Sequence, residues 1–324
     1  MSTRRSFLAA LVAVASLAPL AAYSADFPKQ QVRVVVSNAP GTGTDTTARF
    51  IANDLSKQWG VPVVVENRPG AGGAIATEFV NKQPADGYTI LFNTGAHYSY
   101  PATLTQPPFD ASKDLTLVSS FVQAPIAMFV AADSPFKTVQ DVLDAAKKKP
   151  QSVSFSTPGT GTSSHLAAVL LLSQTGVDML HVPYKSASQA ALEVASGQAQ
   201  VGFNGTSSTL PLVQSGRIRI LAVTGAQRSA SLPDVPTMAE AGVKGYEFVT
   251  PILALVPAGT PEPVVQTIAS AIEKAARTPE FKNLVQGMGM DPIVRGPEQL
   301  KASAQADFDQ AKRLAELAGV AANR

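Results

Sequence analysis

The residues with the clearest chemical potential in this chain form a five-residue turn, Pro-Gly-Thr-Gly-Thr, that occurs twice. The copies span residues 40–44 and 158–162. Each follows a short apolar run and precedes a helical pattern, which predicts a glycine turn between a strand and a helix N-terminus. Such a turn directs free backbone N–H groups and the positive end of the helix dipole at one point, which suits a small anion. Two such turns predict one anion held from two sides.

The polar groups of these turns are the predicted ligand contacts. Thr, Ser and Asp also cap helices without any ligand, and that simpler interpretation stays open for each turn. Capping needs one hydroxyl, whereas both turns offer several hydroxyls together with backbone N–H groups, and this favours a ligand site. The predicted contacts in the two turns are Gly41, Thr42, Gly43, Thr44, Thr160, Thr162 and Ser163.

Asp45 follows the first turn and has two open interpretations. It caps the helix predicted over residues 46–58, or it contacts the ligand. As a contact it would bind an ammonium group or accept a ligand hydroxyl, but an unpaired Asp45 would repel a dicarboxylate. Asp45 is included in the predicted site with both roles open.

Other strand ends add polar or aromatic groups. Thr94 and Ala96 follow the third predicted strand, at the edge of the sheet where the first turn lies. Asn204 and Thr206 end a strand in the second half of the chain, where an ordinary polar turn is an equally good interpretation. Tyr184 also follows a strand end and is predicted to form a wall of the pocket.

The remaining chemistry favours a binding protein over an enzyme. The chain has no Gly-x-Ser-x-Gly motif, and His165, beside two serines, has no evident carboxylate to orient it. Three histidines and no cysteine give no metal-ligand spacing, and His97 is more typical of a packed or solvent-exposed side chain than of a ligand contact. Neither a Gly-x-Gly-x-x-Gly nor a Gly-Lys-[Ser/Thr] loop occurs, so no cofactor and no metal are predicted.

The composition and the N-terminus predict an exported protein. Arg4-Arg5, an apolar stretch and small residues form a signal segment over residues 1–25, of the twin-arginine type or of the ordinary secretory type. Its removal lowers the number of Lys and Arg residues from 26 to 24, which equals the number of Asp and Glu residues. A neutral chain excludes a phosphate-tracking, nucleic-acid-binding surface. Without cysteine, packing must supply the stability that disulfides give other exported proteins.

The order of elements predicts an α/β fold with two lobes, each a mostly parallel sheet flanked by helices. Ligands bind beyond the carboxyl ends of such strands, where both turns lie. Strands at residues 126–132 and 248–256 are predicted to cross between the lobes. Domain 1 is expected to comprise residues 26–125 plus 250–324, and domain 2 residues 126–249.

Six sequence blocks, in their order along the chain, carry a resemblance to a known family. They are Val-Val-Val-Glu-Asn-Arg-Pro-Gly-Ala-Gly-Gly (63–73), Asp-Gly-Tyr-Thr (86–89), His-Val-Pro-Tyr-Lys (181–185), Leu-Pro-Asp-Val-Pro-Thr (232–237), Ala-Glu-Ala-Gly (239–242) and Pro-Ala-Gly-Thr-Pro (257–261). Together they resemble the Bug (TctC-like) family, the periplasmic solute-binding proteins of tripartite tricarboxylate transport systems. The resemblance extends from residue 27 to the end of the chain.

The resemblance implies a two-lobed periplasmic-binding-protein fold, type II-like, with a small organic carboxylate in the cleft between the lobes. It also implies delivery of that ligand to an inner-membrane permease, by a protein expected to be monomeric. The chain departs from the family near the expected pocket: Thr42 replaces a Gly of the first turn, Ser186 replaces a Gly, and a Trp near residues 250–253 is missing. The identity of the carboxylate is therefore left open. A ligand-sensing subunit and a periplasmic enzyme acting on a carboxylated substrate are the alternative functions.

Overall fold

A computed structural model describes residues 27–104 and 106–320 of the protein. The predicted signal segment lies outside the described residues. The described chain forms a ten-stranded mixed sheet flanked by helices. The strands are β1 (Val32–Val36), β2 (Val63–Asn67), β3 (Thr89–Thr94), β4 (Leu115–Ala131), β5 (Ser154–Thr157), β6 (Leu180–Pro183), β7 (Val201–Gly205), β8 (Ile218–Val223), β9 (Val249–Pro257) and β10 (Asp291–Arg295).

Helices follow most of the strands. Within the described ranges, none of them is both long and apolar enough to cross a membrane. The helices are α1 (Gly43–Trp59), α2 (Ala74–Asn81), α3 (Ala96–Ala102), α4 (Val139–Lys148), α5 (Ser163–Thr175), α6 (Ala187–Ala195), α7 (Thr206–Gln214), α8 (Glu262–Ala276), α9 (Pro279–Gly287) and α10 (Pro297–Leu317).

The first lobe is built around β1, which pairs in parallel with β2 on one side and β3 on the other. Val34 and Val36 pack into a core shared with α1, α8 and α9. Val35 points to the opposite core, which is shared with α2 and α10. A strand covered on both faces needs apolar residues at every position, which explains its continuous valine run.

The second lobe repeats this arrangement around β5, which pairs in parallel with β6 and β7. Phe155 of β5 lies in a core with residues from α4 and α5. The links from β1 to α1 and from β5 to α5 both leave the carboxyl end of a central parallel strand. The fold therefore places both glycine turns where the prediction required them.

The strand β4 passes through both lobes. It pairs antiparallel with β9 as far as Pro125, and from Ile126 onward it pairs with β7 and β8. The sequence prediction began this strand at residue 126 and was wrong about residues 115–125, because two register shifts and the buried Ser119 and Ser120 disturb its apolar pattern there. The domain limits predicted at residues 125 and 250 stay a prediction.

Three elements were not predicted: α3, α7 and β10. Pro101 lies inside α3 and Pro211 inside α7, and a proline usually marks a helix end in a sequence. The strand β10 has only five residues, and it pairs with β4, which is far away in the sequence, so local sequence gives little sign of it. The boundaries of the predicted strands differ from the observed ones by one or two residues in most cases: the sequence predicts β2 over residues 61–65, and the structure has it over Val63–Asn67. Strand ends are poorly marked in sequence.

Candidate ligand site

The starts of α1 and α5 have the same backbone geometry, although the repeated pentapeptide hides the true correspondence. The N-cap of α1 is Thr42, with φ −75° and ψ 162°, and the N-cap of α5 is Thr162, with φ −70° and ψ 160°. The residues before them, Gly41 and Gly161, have φ of +81° and +77°. Thr42 therefore corresponds to Thr162 and not to Thr160, its counterpart in the sequence repeat. The two copies of the repeat lie two residues out of register.

Both capping hydroxyls make the same two contacts. The Thr42 hydroxyl donates to Ala39 O at 2.8 Å and accepts from the backbone N–H of Asp45. The Thr162 hydroxyl donates to Gly159 O at 2.8 Å and accepts from the N–H of His165. These hydroxyls are thus used to shape the turns, as the capping interpretation expected.

The two turns differ in the side chain that accepts the glycine N–H. In the first turn Gly41 N–H donates to the Asp45 carboxylate at 2.9 Å. Arg49 and Asn67 also donate to that carboxylate, at 3.0 Å and 2.8 Å. Burial would raise the pKa of Asp45, but the hydrogen bonds from these three partners outweigh it and hold the pKa below its usual 3.8. Asp45 is a buried, paired anion that shapes the first turn.

In the second turn the acceptor is a neutral imidazole. Gly161 N–H donates to His165 Nδ1 at 3.1 Å, which leaves the ring proton of His165 on Nε2. The ring of His165 stacks on that of His181 with 4.0 Å between centroids, and His181 stacks on Phe155 at 4.8 Å. Burial, together with the neighbouring His181, lowers the pKa of His165 to about 4. The environment thus keeps His165 uncharged and able to accept.

His181 stabilises the second turn from its other side. Its Nε2 lies 2.7 Å from the Thr157 hydroxyl, which in turn donates to Gly159 O. Burial lowers the pKa of His181 as well. Both rings of the stacked pair therefore contact the residues that form this turn.

Each helix start presents two backbone N–H groups that no acceptor within the described residues occupies. In α1 these groups belong to Gly43 and Thr44, and in α5 to Ser163 and Ser164. They are the first two helical positions in both cases. The helix dipole and these N–H groups together make each helix start suited to binding an anion.

Thr94 and Ala96 lie in a recess of about 200 Å³ on the first lobe. Residues that follow β1 and β2 line the same recess, among them Asn38 and Gly72. The Thr94 hydroxyl accepts from Ala96 N–H at 3.3 Å and so shapes the start of α3. The recess lies beside the first turn, since Asn38 and Ala39 lead directly into it.

The other predicted contacts have partners within the protein. Asn204 is buried, and its amide nitrogen donates to Ala187 O at 2.7 Å. Thr206 is buried and donates its hydroxyl to Gly289 O, across the two lobes. Tyr184 is half-buried, and its backbone lies beside the second turn, since a Cβ on Gly159 would be 3.6 Å from Tyr184 O.

The sequence prediction did not include His165, His181 or Ser164. His165 was considered only as a catalytic base, yet it lies four residues after Gly161, as Asp45 lies four residues after Gly41. Matching this glycine-to-acceptor spacing, rather than the repeated letters, would have found it. His97 is fully buried, the first of the two positions that the sequence left open, with Nε2 3.0 Å from Ala111 O.

The described residues contain no group of three or more His, Cys, Asp or Glu placed to hold a metal ion. The two helix starts offer neutral N–H donors, and the Asp45 carboxylate beside the first of them is already paired with Gly41, Arg49 and Asn67. Such an arrangement can bind an anion by hydrogen bonds.

Comparison with known proteins gives consistent matches. The family model described as "Tripartite tricarboxylate transporter family receptor" matches residues 47–320. A UPF0065 protein in the tcbD-tcbE intergenic region of Pseudomonas sp. (strain P51) is 34% identical over 317 residues, which are 96% of this chain and 93% of that protein.

Two solved structures with bound carboxylates share the fold. Rpa4515 of R. palustris with adipate is 31% identical, with a TM-score of 0.77 over 91% of this chain and 99% of that one. MatC from Rhodopseudomonas palustris with bound malate is 26% identical, with a TM-score of 0.72 over 89% of this chain and 99% of that one.

Proposed function

Because the chain belongs to the tripartite tricarboxylate transporter receptor family, we propose that it captures a small organic carboxylate between its two lobes and delivers it to the permease of such a transporter. Members of the family are binding receptors and not enzymes. Adipate and malate in two related structures support a carboxylate as the ligand. The chain would act in the periplasm, as a monomer, after export by its signal segment.

The observation that carries this proposal is the matched pair of helix starts, one per lobe. Each offers, at the carboxyl end of its sheet, two N–H groups that no acceptor among residues 27–104 and 106–320 takes up. A charge-assisted hydrogen bond to a carboxylate contributes about 1.5–3 kcal/mol, so four such groups can offset much of the cost of association. The predicted contacts Thr44, Thr160 and Ser163 add hydroxyls beside these groups.

Closure of the lobes on the ligand is part of the proposal. A guest held by α1 from one lobe and α5 from the other stabilises the closed form by its contacts with both. The strands β4 and β9 connect the lobes and would carry the hinge. Neutral donors release the guest more readily than a cationic side chain would, which suits handover to a permease.

The proposal is tested by calorimetry with succinate, malate, adipate and aromatic monocarboxylates. At least one should bind, and the double variant Gly43→Pro with Ser163→Pro, which removes two of the four N–H groups, should bind it roughly a hundredfold more weakly while keeping its melting temperature. Proline is favoured at the first helical position, and both preceding residues are already extended, so each change removes mainly one N–H group.

The matched control is Gly43→Ala with Ser163→Ala, which keeps both N–H groups and should bind more tightly than the proline variant, losing only what the Ser163 hydroxyl contributes. If no carboxylate binds the wild-type protein, the proposed function is wrong. If the double proline variant binds as well as the control, the ligand does not sit at the helix starts.

A further inference from the structure

Besides the connecting strands β4 and β9, a three-residue segment of the first lobe contacts the second lobe. It comprises Gly289, Met290 and Asp291, which lead from the end of α9 into β10, and we call it the bridging segment. Asp291 pairs with Gln123 of β4, and Met290 is buried in the core that the first lobe shares with α1. The bridging segment thus belongs to the first lobe, and its contacts with the second lobe join the two lobes outside the connecting strands.

The first of these contacts joins Gly289 to the start of α7. The buried Thr206 hydroxyl donates to Gly289 O. Gly289 has a φ of +72°, and a Cβ there would lie 3.2 Å from Thr206 Cβ and 2.8 Å from Leu210 Cδ1. A side chain at this position would clash with α7, so the glycine permits a close approach of the two lobes.

The second contact joins Asp291 to the segment that follows β8. Asp291 Oδ1 accepts from the Ser229 hydroxyl at 3.0 Å and from Ala230 N–H at 3.2 Å. Ser229 is fully buried. Burial raises the pKa of Asp291, and the hydrogen bonds from these two partners oppose that shift. A carboxyl group in such a place depends on its donors, so loss of the Ser229 hydroxyl would make the contact unfavourable.

The bridging segment also lies beside the proposed carboxylate site. Met290 is placed between the two contacts, and a Cβ on Gly43 would be 3.1 Å from Met290 Cε. Gly43 is the first residue of α1. Thr206 directly follows β7, which is parallel to β5, so Thr206 lies at the same edge of the second sheet as the second turn. Separation of the lobes would therefore displace residues that pack next to both helix starts.

The two contacts differ in kind from the packing of α10 on α5. That packing involves Leu314, Leu166 and Val169, and apolar contact is non-directional. The hydrogen bonds of Thr206 and Ser229 require fixed distances and angles. They are therefore lost at a separation of the lobes that apolar packing still tolerates.

Resting on the proposed function, we propose that Thr206, Ser229 and Asp291 set the balance between open and closed lobes, and with it the affinity for the carboxylate, without touching the guest. Their hydrogen bonds form in the closed form and break when the lobes open. The apparent affinity of a ligand falls with the fraction of molecules in the binding-competent form. Thr206, which the sequence predicts as a ligand contact, is in this proposal a positioning residue.

The first test is Thr206→Val, which keeps the shape of the side chain and removes its hydroxyl. Loss of one hydrogen bond shifts the ratio of closed to open protein by up to about tenfold. The acid that binds the wild type most tightly among succinate, malate, adipate and the aromatic monocarboxylates should therefore bind about twofold to tenfold more weakly by calorimetry.

The matched control is Thr209→Val. Thr209 is equally buried on the same helix, but its hydroxyl donates to Thr206 O within α7 and not across the lobes. Both changes remove a buried hydroxyl and should lower the melting temperature, whereas the control should leave the affinity unchanged.

Ser229→Ala tests the second contact independently. It removes a donor to Asp291 and should weaken binding by a similar factor. Ser231→Ala is its control, because the Ser231 hydroxyl bonds with the Ser229 hydroxyl and not across the lobes. This control should bind the acid as the wild type does.

Small-angle X-ray scattering of the unliganded proteins gives a readout that does not depend on binding. Thr206→Val and Ser229→Ala should have a larger radius of gyration than their controls, and saturating acid should remove the difference because it favours the closed form. Weaker binding of Thr206→Val with an unchanged radius would make Thr206 a direct ligand contact and overturn the inference. Affinities equal to those of the controls overturn it too, and leave the proposed function standing. If no carboxylate binds the wild type, the proposed function fails, and an unchanged radius would then overturn the inference separately.

Discussion

The turns at the starts of α1 and α5 are stabilised in the same way by two different kinds of side chain. Both turns need an acceptor for the N–H of a glycine with positive φ, and both place it four residues later. The first lobe uses Asp45, whose charge is balanced by Arg49 at 3.0 Å. The second uses His165, which its surroundings keep neutral. Either side chain, a paired Asp or a neutral His, can therefore stabilise a helix start that accepts an anion, provided that no unpaired negative charge faces the guest.

The largest expected effect concerns Asp45. Asp45→Ala leaves the Gly41 N–H and one N–H of the Asn67 amide, whose other N–H donates to Asn38 O, without their acceptor, so it should lower the free energy of unfolding by about 2–3 kcal/mol. The exposed Arg49 adds little to this cost. Asp45→Asn, which keeps an acceptor oxygen, should cost less. Urea denaturation measures both. Unchanged stability with weakened ligand binding would instead make Asp45 a ligand contact.

The pH dependence of stability should separate the two turns. His165 has a pKa of about 4 in the folded protein and a usual value of 6.5. Between these values the unfolded chain takes up a proton that the folded protein does not, so the free energy of unfolding falls as the pH decreases from 6.5 to 4. Asp45 has a lowered pKa, so its contribution is lost only below its usual 3.8.

Denaturation at pH 7 and pH 5 tests this difference. His97 and His181 have lowered pKa values too, so the informative quantity is the difference between the wild type and His165→Asn. Allowing for solvent screening, His165 should account for about 1–2 kcal/mol of the loss. Asp45→Asn should leave the loss over this interval as it is in the wild type. An identical loss in wild type and His165→Asn would contradict the role given to the imidazole.

The starts of α1 and α5 should contribute similarly to carboxylate binding. Gly43→Pro and Ser163→Pro each remove one N–H from the first helical position, so each should weaken carboxylate binding roughly tenfold, or about 1.4 kcal/mol. A Cβ on Gly43 would lie 3.1 Å from Met290 Cε, which makes Gly43→Ala the necessary control. Calorimetry with the tightest-binding acid gives both values. A loss in only one variant would mean that the guest uses one lobe.

Local sequence predicted the strands, turns and helices at the two helix starts but not the hydrogen bonds between their residues. The apolar runs and their flanking residues predict β1 over residues 32–36 and α5 over residues 163–175, which are the observed bounds, and both turns follow from their glycines. The sequence does not show which threonine caps a helix, because the repeated letters allow either. The partner of Thr206 is Gly289, 83 residues away, and such a contact depends on how the lobes pack. His165 was missed because its role is to accept a backbone N–H.

The smallest expected effect tests the register of the two turns directly. Thr42→Ala and Thr162→Ala each remove a capping hydroxyl with the same two contacts, so each should cost about 1 kcal/mol of stability. Thr160 occupies the place of Thr42 in the repeated pentapeptide, but it is exposed and its hydroxyl has no partner among the described residues. Thr160→Ala should therefore leave the free energy of unfolding unchanged. If Thr160→Ala were the costly change and Thr162→Ala the silent one, the sequence repeat would give the true correspondence, and the pairing of Asp45 with His165 would fall with it.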